Sequence, residues 1–279
     1  MKFTVGCDLG YRSTGPCTLI LNVQAARIAR QQILGETLNV TPSDSMQSFE
    51  MPDSANRYLR INAGAGDIAI RYEAEVALDV YASDPDSVDE IPVAELPFEL
   101  MPHLAPSRYC PSDLLSRWPT REFADFATGH ARVTAICNWI YEHIEYIRGT
   151  STTQTTAQDT LVERAGVCRD FAHLGISFCR ALNIPARFVS AYAWGLEPPD
   201  FHAVFEAYLG GRWYLFDPTR QAALDGLVRI GVGRDAGEVS FATVFGDVAP
   251  THMSVYIRPE NGDTSATVRT VRAISTSPA

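Results

Sequence analysis

One stretch of the chain alternates between apolar residues and residues that are mostly polar. Residues 68, 70, 72, 74, 76 and 78 are Ile, Ile, Tyr, Ala, Val and Leu, and the positions between them include Arg71, Glu73 and Glu75. Successive side chains of a strand point to opposite faces, so this pattern predicts a half-buried strand. Further β-like stretches at 18–23 and 58–62 are separated by turn sequences at 41–44, 63–66 and 83–86. We therefore predict an antiparallel β-sandwich domain over residues 1–100.

The rest of the chain has a different pattern. Six prolines between 91 and 119 are too many for one regular element, and we predict a linker over residues 101–125. Apolar residues then recur at helical intervals over 131–147 and 168–182, while 188–192, 201–209 and 213–216 have strand character. We assign residues 126–258 to a second domain. The tail, 259–279, is rich in Thr, Ser, Gly and Ala, and we expect much of it to be loose.

The charge and hydropathy of the chain exclude some classes of protein. A formal net charge of -10 argues against a nucleic-acid-binding surface, because such surfaces are built from clustered Lys and Arg. No apolar run is long enough to span a membrane, and the first residues lack the apolar segment of a secretory signal. We therefore expect a soluble, cytoplasmic protein that binds neither nucleic acid nor membranes.

The chain has six cysteines, at positions 7, 17, 110, 137, 168 and 179. In a long chain without an export signal, reduced thiols are expected, although the even number leaves a disulfide framework open. Zinc fits poorly, because the sequence has neither a CxxC nor an HxxxH pair. We expect no metal and no other cofactor.

Cys168 is the candidate nucleophile. It follows Gly166 and Val167 and opens a predicted helix, so its sulfur would lie beside unpaired backbone amides that stabilise a thiolate. The alternative is that Cys168 is a small buried apolar residue, which is the commoner role of a lone cysteine. Cys179 provides an internal comparison, because it lies near the same helix face, three turns deeper, and is expected to be inert.

A histidine and an aspartate are predicted to meet on neighbouring strands. The Gly-Gly pair at 210–211 is a two-residue hairpin loop that would place Val204 opposite Asp217. His202 shares the face of Val204, so His202 and Asp217 become diagonal neighbours at about 7–8 Å. Asp217 would then orient the imidazole towards a thiol. A register shift by one residue would separate them, and taken singly each has an ordinary structural explanation: a hydrogen-bonded histidine at a strand end and an aspartate in a turn.

Other titratable residues are assigned structural roles. His173 is five positions beyond Cys168, and its side chain points away from the sulfur. Asp170 lies in the first helical turn, where a carboxylate is favourable without any catalytic role. Glu206 shares the strand face of His202, and an ion pair or hydrogen bond is expected there. The remaining histidines, His103, His130, His143 and His252, have no partner motif and are left out of the site.

Four segments of the second domain carry a family resemblance: Gly166-Val-Cys168-Arg-Asp-Phe-Ala-His173, Asn183-Ile-Pro-Ala-Arg187, Phe201-His-Ala-Val-Phe-Glu206 and Trp213-Tyr-Leu-Phe-Asp-Pro-Thr219. They strongly resemble the bacterial transglutaminase-like superfamily, in particular its cysteine proteases with an amino-terminal β domain. Residues 53–57, 107–113 and 229–235 resemble that family as well. The resemblance implies an α+β fold, a papain-like transglutaminase core preceded by the β-sandwich, with Cys168, His202 and Asp217 as the catalytic triad.

One departure from the family pattern is Val204, where the family usually has Trp. The missing aromatic side chain is expected to enlarge the cleft or to loosen the imidazole. The Cys168 backbone amide is the expected oxyanion donor, with a second donor somewhere in 150–158.

The expected reaction is attack by the Cys168 thiolate on a peptide or protein amide, which gives a thioester acyl-enzyme. Hydrolysis by water, as in a peptidase or amidase, is favoured, because transfer needs a channel for a second substrate and because Val204 indicates a more open site. Transfer to a lysine amine, as in a protein-glutamine γ-glutamyltransferase, is the alternative. A non-catalytic binding scaffold is a further alternative, although a scaffold has no need of all three triad residues.

Overall fold

The computed structural model describes residues 1–42, 45–260 and 271–277, so the last two residues of the predicted turn at 41–44 lie outside the described residues. The strands are β1 (Lys2–Ser13), β2 (Cys17–Leu21), β3 (Gln31–Thr41), β4 (Met46–Glu50), β5 (Arg57–Ala63), β6 (Gly66–Leu78), β7 (Tyr81–Ser83), β8 (Glu145–Tyr146), β9 (Ala165–Gly166), β10 (Ala186–Ala193), β11 (Phe201–Leu209), β12 (Arg212–Phe216), β13 (Leu227–Gly233), β14 (Ala242–Phe245), β15 (Val248–Pro259) and β16 (Ala273–Ser275). The helices are α1 (Ser112–Leu115), α2 (Arg117–Phe123), α3 (His130–His143), α4 (Ala157–Glu163) and α5 (Cys168–Ala181), with short 3-10 turns at Pro85–Ser87, Val93–Glu95, Phe98–His103 and Leu224–Gly226. No helix in these ranges is long and apolar enough to cross a membrane.

Two antiparallel four-stranded sheets pack face to face at the amino-terminal end. One has the strand order β15-β1-β6-β3 and the other β14-β2-β5-β4. The alternation predicted from the sequence is confirmed in β6, where every second residue from Ile68 to Leu78 is buried and the residues between them are mostly exposed. The buried face of β6 packs into one apolar core with Leu19, Leu59 and Ile61 of the opposite sheet.

The outer strand on one side of each sheet comes from the far end of the chain. β15 pairs with β1 from Phe3 opposite Pro259 to Ser13 opposite Val248, and β14 pairs with β2. The sequence assigned these residues to the second domain, 126–258, whereas they complete the amino-terminal sheets. Without them, β1 and β2 would present open edges with unpaired backbone groups.

The proline-rich segment expected to be a linker contains two short helices, α1 and α2. Pro119 lies in the first turn of α2, where proline is tolerated because its missing N–H would have no partner there. The segment also buries Cys110, Leu115 and Phe123 in the core of the second half. It is therefore packed structure rather than a surface linker.

The second half is built around the sheet β12-β11-β10-β13, with α5 lying across β11. The close approach depends on Gly175, because a Cβ at that position would come within 2.5 Å of the Phe205 ring. α3 ends at His143, earlier than predicted, because Glu145 and Tyr146 pair in parallel with Ala165 and Gly166. These two short strands fix the chain just before α5 begins.

Besides α1 and α2, a third helix, α4, was not predicted. α4 begins inside the polar stretch at 149–158, and Thr156 and Asp159 form a reciprocal capping box at its start. The Thr156 backbone amide donates to the Asp159 carboxylate at 2.8 Å. The spacing Thr-x-x-Asp is the sequence signal for this cap.

The tail is more ordered than the sequence indicated. Ala273–Ser275 forms β16, which pairs with β7, and Ser277 is buried. The Ser277 hydroxyl donates to Glu206 at 3.0 Å. Residues 261–270 and 278–279 of the predicted loose tail lie outside the described residues.

Candidate active site

Cys168 is the first residue of α5 and is partly exposed, whereas the other five cysteines are buried. All six are free thiols in this structure. The start of α5 is fixed by Asp170, whose side chain accepts a hydrogen bond from the Val167 amide at 2.9 Å. The predicted helix and the position of Cys168 at its amino terminus are confirmed.

Asp170 is more than a helix-dipole partner. It is fully buried, and it also accepts hydrogen bonds from the Ser151 hydroxyl and from Arg169 Nη2, the latter at 2.9 Å. Arg169 donates in addition to the Thr152 carbonyl at 2.8 Å. These contacts join the segment before α4 to the beginning of α5, so they hold the backbone around Cys168.

His202 and Asp217 are in direct contact, as the predicted register requires. Leu209 lies opposite Arg212 and the pairing continues to Phe205 opposite Phe216, and His202 Nε2 donates to Asp217 Oδ2 at 3.0 Å. Both side chains are buried.

Asp217 is held independently of the histidine. It accepts from the Thr219 amide at 2.9 Å, the Thr219 hydroxyl at 2.7 Å and the Ala222 amide at 3.2 Å. The carboxylate is therefore fixed before it orients the imidazole.

The electrostatics favour a charged His202. Burial by itself lowers the pKa of His202, but the charge and hydrogen bond of Asp217, together with Cys168, raise it to about 10. Burial by itself would raise the pKa of Asp217, whereas the neighbouring His202 and Thr219 hold it below its ordinary value. His202 Nδ1 is buried and has no hydrogen-bond partner among the described residues. That nitrogen is therefore the one available to a thiol.

Cys168 and His202 line the same cleft, which has a volume of about 740 Å³. One side of the cleft is formed by β10 and the start of β11, and the other by the segment from Ala236 into β14. Met253 of β15 also lines it. The amino-terminal sheets thus supply part of the wall around the thiol, through strands that the sequence had placed in the second domain.

The residues assigned structural roles have the expected surroundings. Cys179 is fully buried, and burial raises the pKa of its thiol. His173 is stacked on Tyr109, accepts a hydrogen bond from the Ala236 amide at 3.1 Å, and has its pKa lowered to about 3 by burial. None of His103, His130, His143 and His252 lines the cleft.

Glu206 is also buried, and it forms ion pairs with Arg187 and Arg229. This confirms the structural role that the sequence assigned to it.

The consequence expected from Val204 is wrong. Val204 is fully buried, packs with Val189 and Leu215 in an apolar cluster, and is not among the residues that line the cleft. A smaller side chain at this position therefore does not widen the cleft, and the imidazole is held by Asp217. This removes one of the sequence arguments for hydrolysis.

Several residues near the thiol were not found from the sequence. The Tyr146 side chain lies close to Cys168, and burial, with the charge of Cys168 next in effect, raises the pKa of Tyr146. Ser190 and Asp200 line the cleft as well. From the segment 150–158, in which a second oxyanion donor was expected, Thr153 reaches the cleft. No spacing in the sequence marks these residues, because they converge only through the pairing of strands.

Comparisons with known proteins agree with this architecture. Residues 1–99 match the model of the bacterial transglutaminase N-terminal domain, and residues 121–218 match that of the transglutaminase-like superfamily. The crystal structure of a protein from Cytophaga hutchinsonii, described as a candidate cysteine protease, is 42% identical over 99% of this chain and 97% of that chain, with a TM-score of 0.94.

More distant relatives are uncharacterized. A protein of Mycobacterium leprae is 31% identical over 149 residues, and one of Mycobacterium tuberculosis is 31% identical over 137 residues. The matches cover 49% and 44% of this chain, and 52% and 41% of those proteins, so the chain spans about half the length of these curated relatives. From the two domain matches and the 42% identity over nearly the whole chain, we conclude that the protein belongs to the bacterial transglutaminase-like superfamily.

Proposed function

We propose that the protein is a cysteine-dependent amide hydrolase in which Cys168, His202 and Asp217 form the catalytic triad. The observation that carries the proposal is the unpaired Nδ1 of a buried His202, whose other nitrogen is bound to Asp217 and whose ring shares a cleft with Cys168. A buried polar atom normally has a partner, and an open position beside a thiol is what nucleophilic catalysis requires.

The acylation step follows from this arrangement. The Cys168 thiolate attacks the amide carbonyl carbon, a C–S bond forms, and the carbonyl electron pair moves to oxygen. As the tetrahedral intermediate collapses, the C–N bond breaks and His202 Nδ1 gives its proton to the leaving amine. The backbone amide of Cys168 is the expected donor to the oxyanion, and the hydroxyl of Tyr146, which lies close to Cys168, is a candidate second donor.

In the second step, neutral His202 takes a proton from water, and the hydroxide attacks the thioester carbonyl. The C–S bond then breaks, the acid product leaves, and the thiolate and the charged imidazole are restored. The partial exposure of Cys168 supports access of water, and the 42% identical relative described as a candidate cysteine protease supports hydrolysis. A cytoplasmic location stays a prediction from the sequence.

Mass spectrometry of a glutamine-containing casein digest tests the proposal. We expect cleaved or deamidated peptides with the wild type and with Cys179→Ala, and none with Cys168→Ala. In the presence of a primary amine, amine-modified glutamines that depend on Cys168 would identify a transferase instead. Identical spectra for the wild type and Cys168→Ala would contradict catalysis by this thiol.

Labelling with iodoacetamide separates an enzyme from a binding scaffold. An active site predicts that Cys168 reacts fastest in the folded protein, and that Cys179, which is fully buried, reacts only on unfolding. Comparable slow labelling of both residues would favour the scaffold.

A further inference from the structure

The cleft beside Cys168 is mostly apolar. Apart from His202, the charged side chains among the described lining residues are Arg169 and Asp200. The rest of the surface is dominated by large apolar side chains, with Phe201 and Phe241 stacked at 5.2 Å between ring centroids. These side chains are Phe188, Phe201, Ile230, Val239, Phe241 and Val244.

Both charged side chains already have partners within the protein. Arg169 is paired with Asp170 and bonded to the Thr152 carbonyl. Asp200 accepts a hydrogen bond from the Phe201 amide at 2.8 Å, and burial raises the pKa of its carboxyl group. The surface left for a ligand is therefore mostly apolar, and a charged side chain of a substrate would lose much of its hydration there.

Ser190 is one of several polar residues in this mostly apolar surface, and it differs from the others in having a buried hydroxyl without a partner among the described residues. It lies on β10 opposite Ala203 and lines the cleft. Nearly all buried polar groups in folded proteins are paired, and exceptions call for a bound molecule or a functional role. An unpaired hydroxyl inside the cleft indicates that a ligand completes it.

We propose that the cleft selects an acyl donor with a large apolar side chain next to the reacting carbonyl, and that Ser190 hydrogen-bonds a polar atom of that same residue. The inference rests on the proposed function, because it places the carbonyl at Cys168. A side chain attached close to that carbonyl then meets the wall formed by Phe201, Phe241 and Val244. β14 belongs to the amino-terminal sheets, so these sheets take part in choosing the substrate.

The test uses a peptide library with the wild type and two variants of adjacent residues. Val244 and Phe245 are neighbours on β14, both on the protein surface, but only Val244 lines the cleft. We expect products enriched in Phe, Leu, Ile or Met on the acyl side of the reacting amide. Val244→Asp should lower kcat/KM for these peptides by about 10-fold or more, whereas Phe245→Asp should leave it nearly unchanged.

Ser190→Ala tests the hydroxyl separately. If the hydroxyl binds substrate, its loss should raise KM by about 10-fold with little change in kcat, since ground state and transition state lose the same bond. An unchanged KM would overturn the role of Ser190.

The outcomes separate this inference from the proposed function. Products that depend on Cys168 but show no side-chain preference, with Val244→Asp equal to Phe245→Asp, would overturn the inference and leave the hydrolase intact. An absence of any product that depends on Cys168 would overturn both. A preference for acidic or basic residues would likewise reject the apolar subsite.

Discussion

Two buried polar clusters on one strand, β11, centre on titratable side chains, Glu206 and His202, that differ in how completely they are hydrogen-bonded. At Glu206, one carboxylate oxygen accepts from Arg187 at 2.7 Å, and the other accepts from Arg229 and from Ser277 at 3.0 Å. At His202, Nε2 is bound to Asp217 but Nδ1 has no partner among the described residues. Both side chains are buried, so burial alone does not distinguish them.

The difference lies in what each cluster leaves open. A fully paired buried carboxylate holds strands and tail together and has no capacity for another partner. An incompletely paired histidine with a raised pKa, next to a thiol in a cleft, has the properties of a functional site. The raised pKa of His202 is evidence for chemistry here because Nδ1 has no hydrogen-bond partner among the described residues.

The largest effect is expected at the incomplete cluster. His202→Ala should lower kcat by roughly 10²–10⁴-fold, because acid–base catalysis at Nδ1 is lost. The protein should stay folded, since Asp217 keeps the amides of Thr219 and Ala222 as donors. Steady-state kinetics and thermal unfolding measure the two effects. Full activity in this variant would contradict the role of His202 in acid–base catalysis.

The second-largest effect is expected at the Glu206 cluster and concerns the stability of the protein. Glu206→Gln should lower the free energy of unfolding by about 3–5 kcal/mol, because Arg187 and Arg229 are left without their buried counter-charge. Activity per folded molecule should be unchanged. Asp8→Asn, which removes an exposed ion pair with Arg71, is the control and should cost about 0–1 kcal/mol in urea unfolding. Equal losses in the two variants would contradict the structural role of Glu206.

The smallest effect is a shift in pH dependence. The pKa of His202 is raised to about 10, so the charged imidazole and its contribution to stability are present below the ordinary histidine pKa and are lost as pH rises through about 10. We expect kcat/KM to fall over the same alkaline pH range, which gives its pH profile an alkaline limb. Asp217→Asn should move that limb down by about one pH unit or more, since Asp217 is the main group that raises the pKa. A limb at the same pH in both proteins would show that His202 does not control it.

Local patterns in the sequence were enough to predict the helix that begins at Cys168 and the contact between His202 and Asp217. A helix that begins at Cys168 and a Gly-Gly loop that fixes strand register place His202 against Asp217, and both signals are short in range. The alternation in β6 likewise depends only on neighbouring residues. The family resemblance then supplied the roles that these positions have in related proteins.

What the sequence could not predict depends on residues distant along the chain. The wall of the cleft comes from β14, which is held there by β2, more than two hundred residues earlier. The unpaired state of Ser190 is visible only once its surroundings are assembled. The wrong expectation for Val204 has the same origin, because a one-residue difference from the family does not reveal whether that side chain lines the cleft.

The return of β14 and β15 to the first sheets has a consequence for synthesis on the ribosome. Residues 1–100 emerge before β14 and β15, so β1 and β2 each lack one of their two neighbouring strands until residues 242–259 have been made. During that interval their unpaired edges are open to pairing with other chains. β14 and β15 are thus made long after the strands that they complete, and the same segment forms part of the cleft wall. The amino-terminal sheets and the wall of the cleft are therefore completed together, once residues 242–259 have been made.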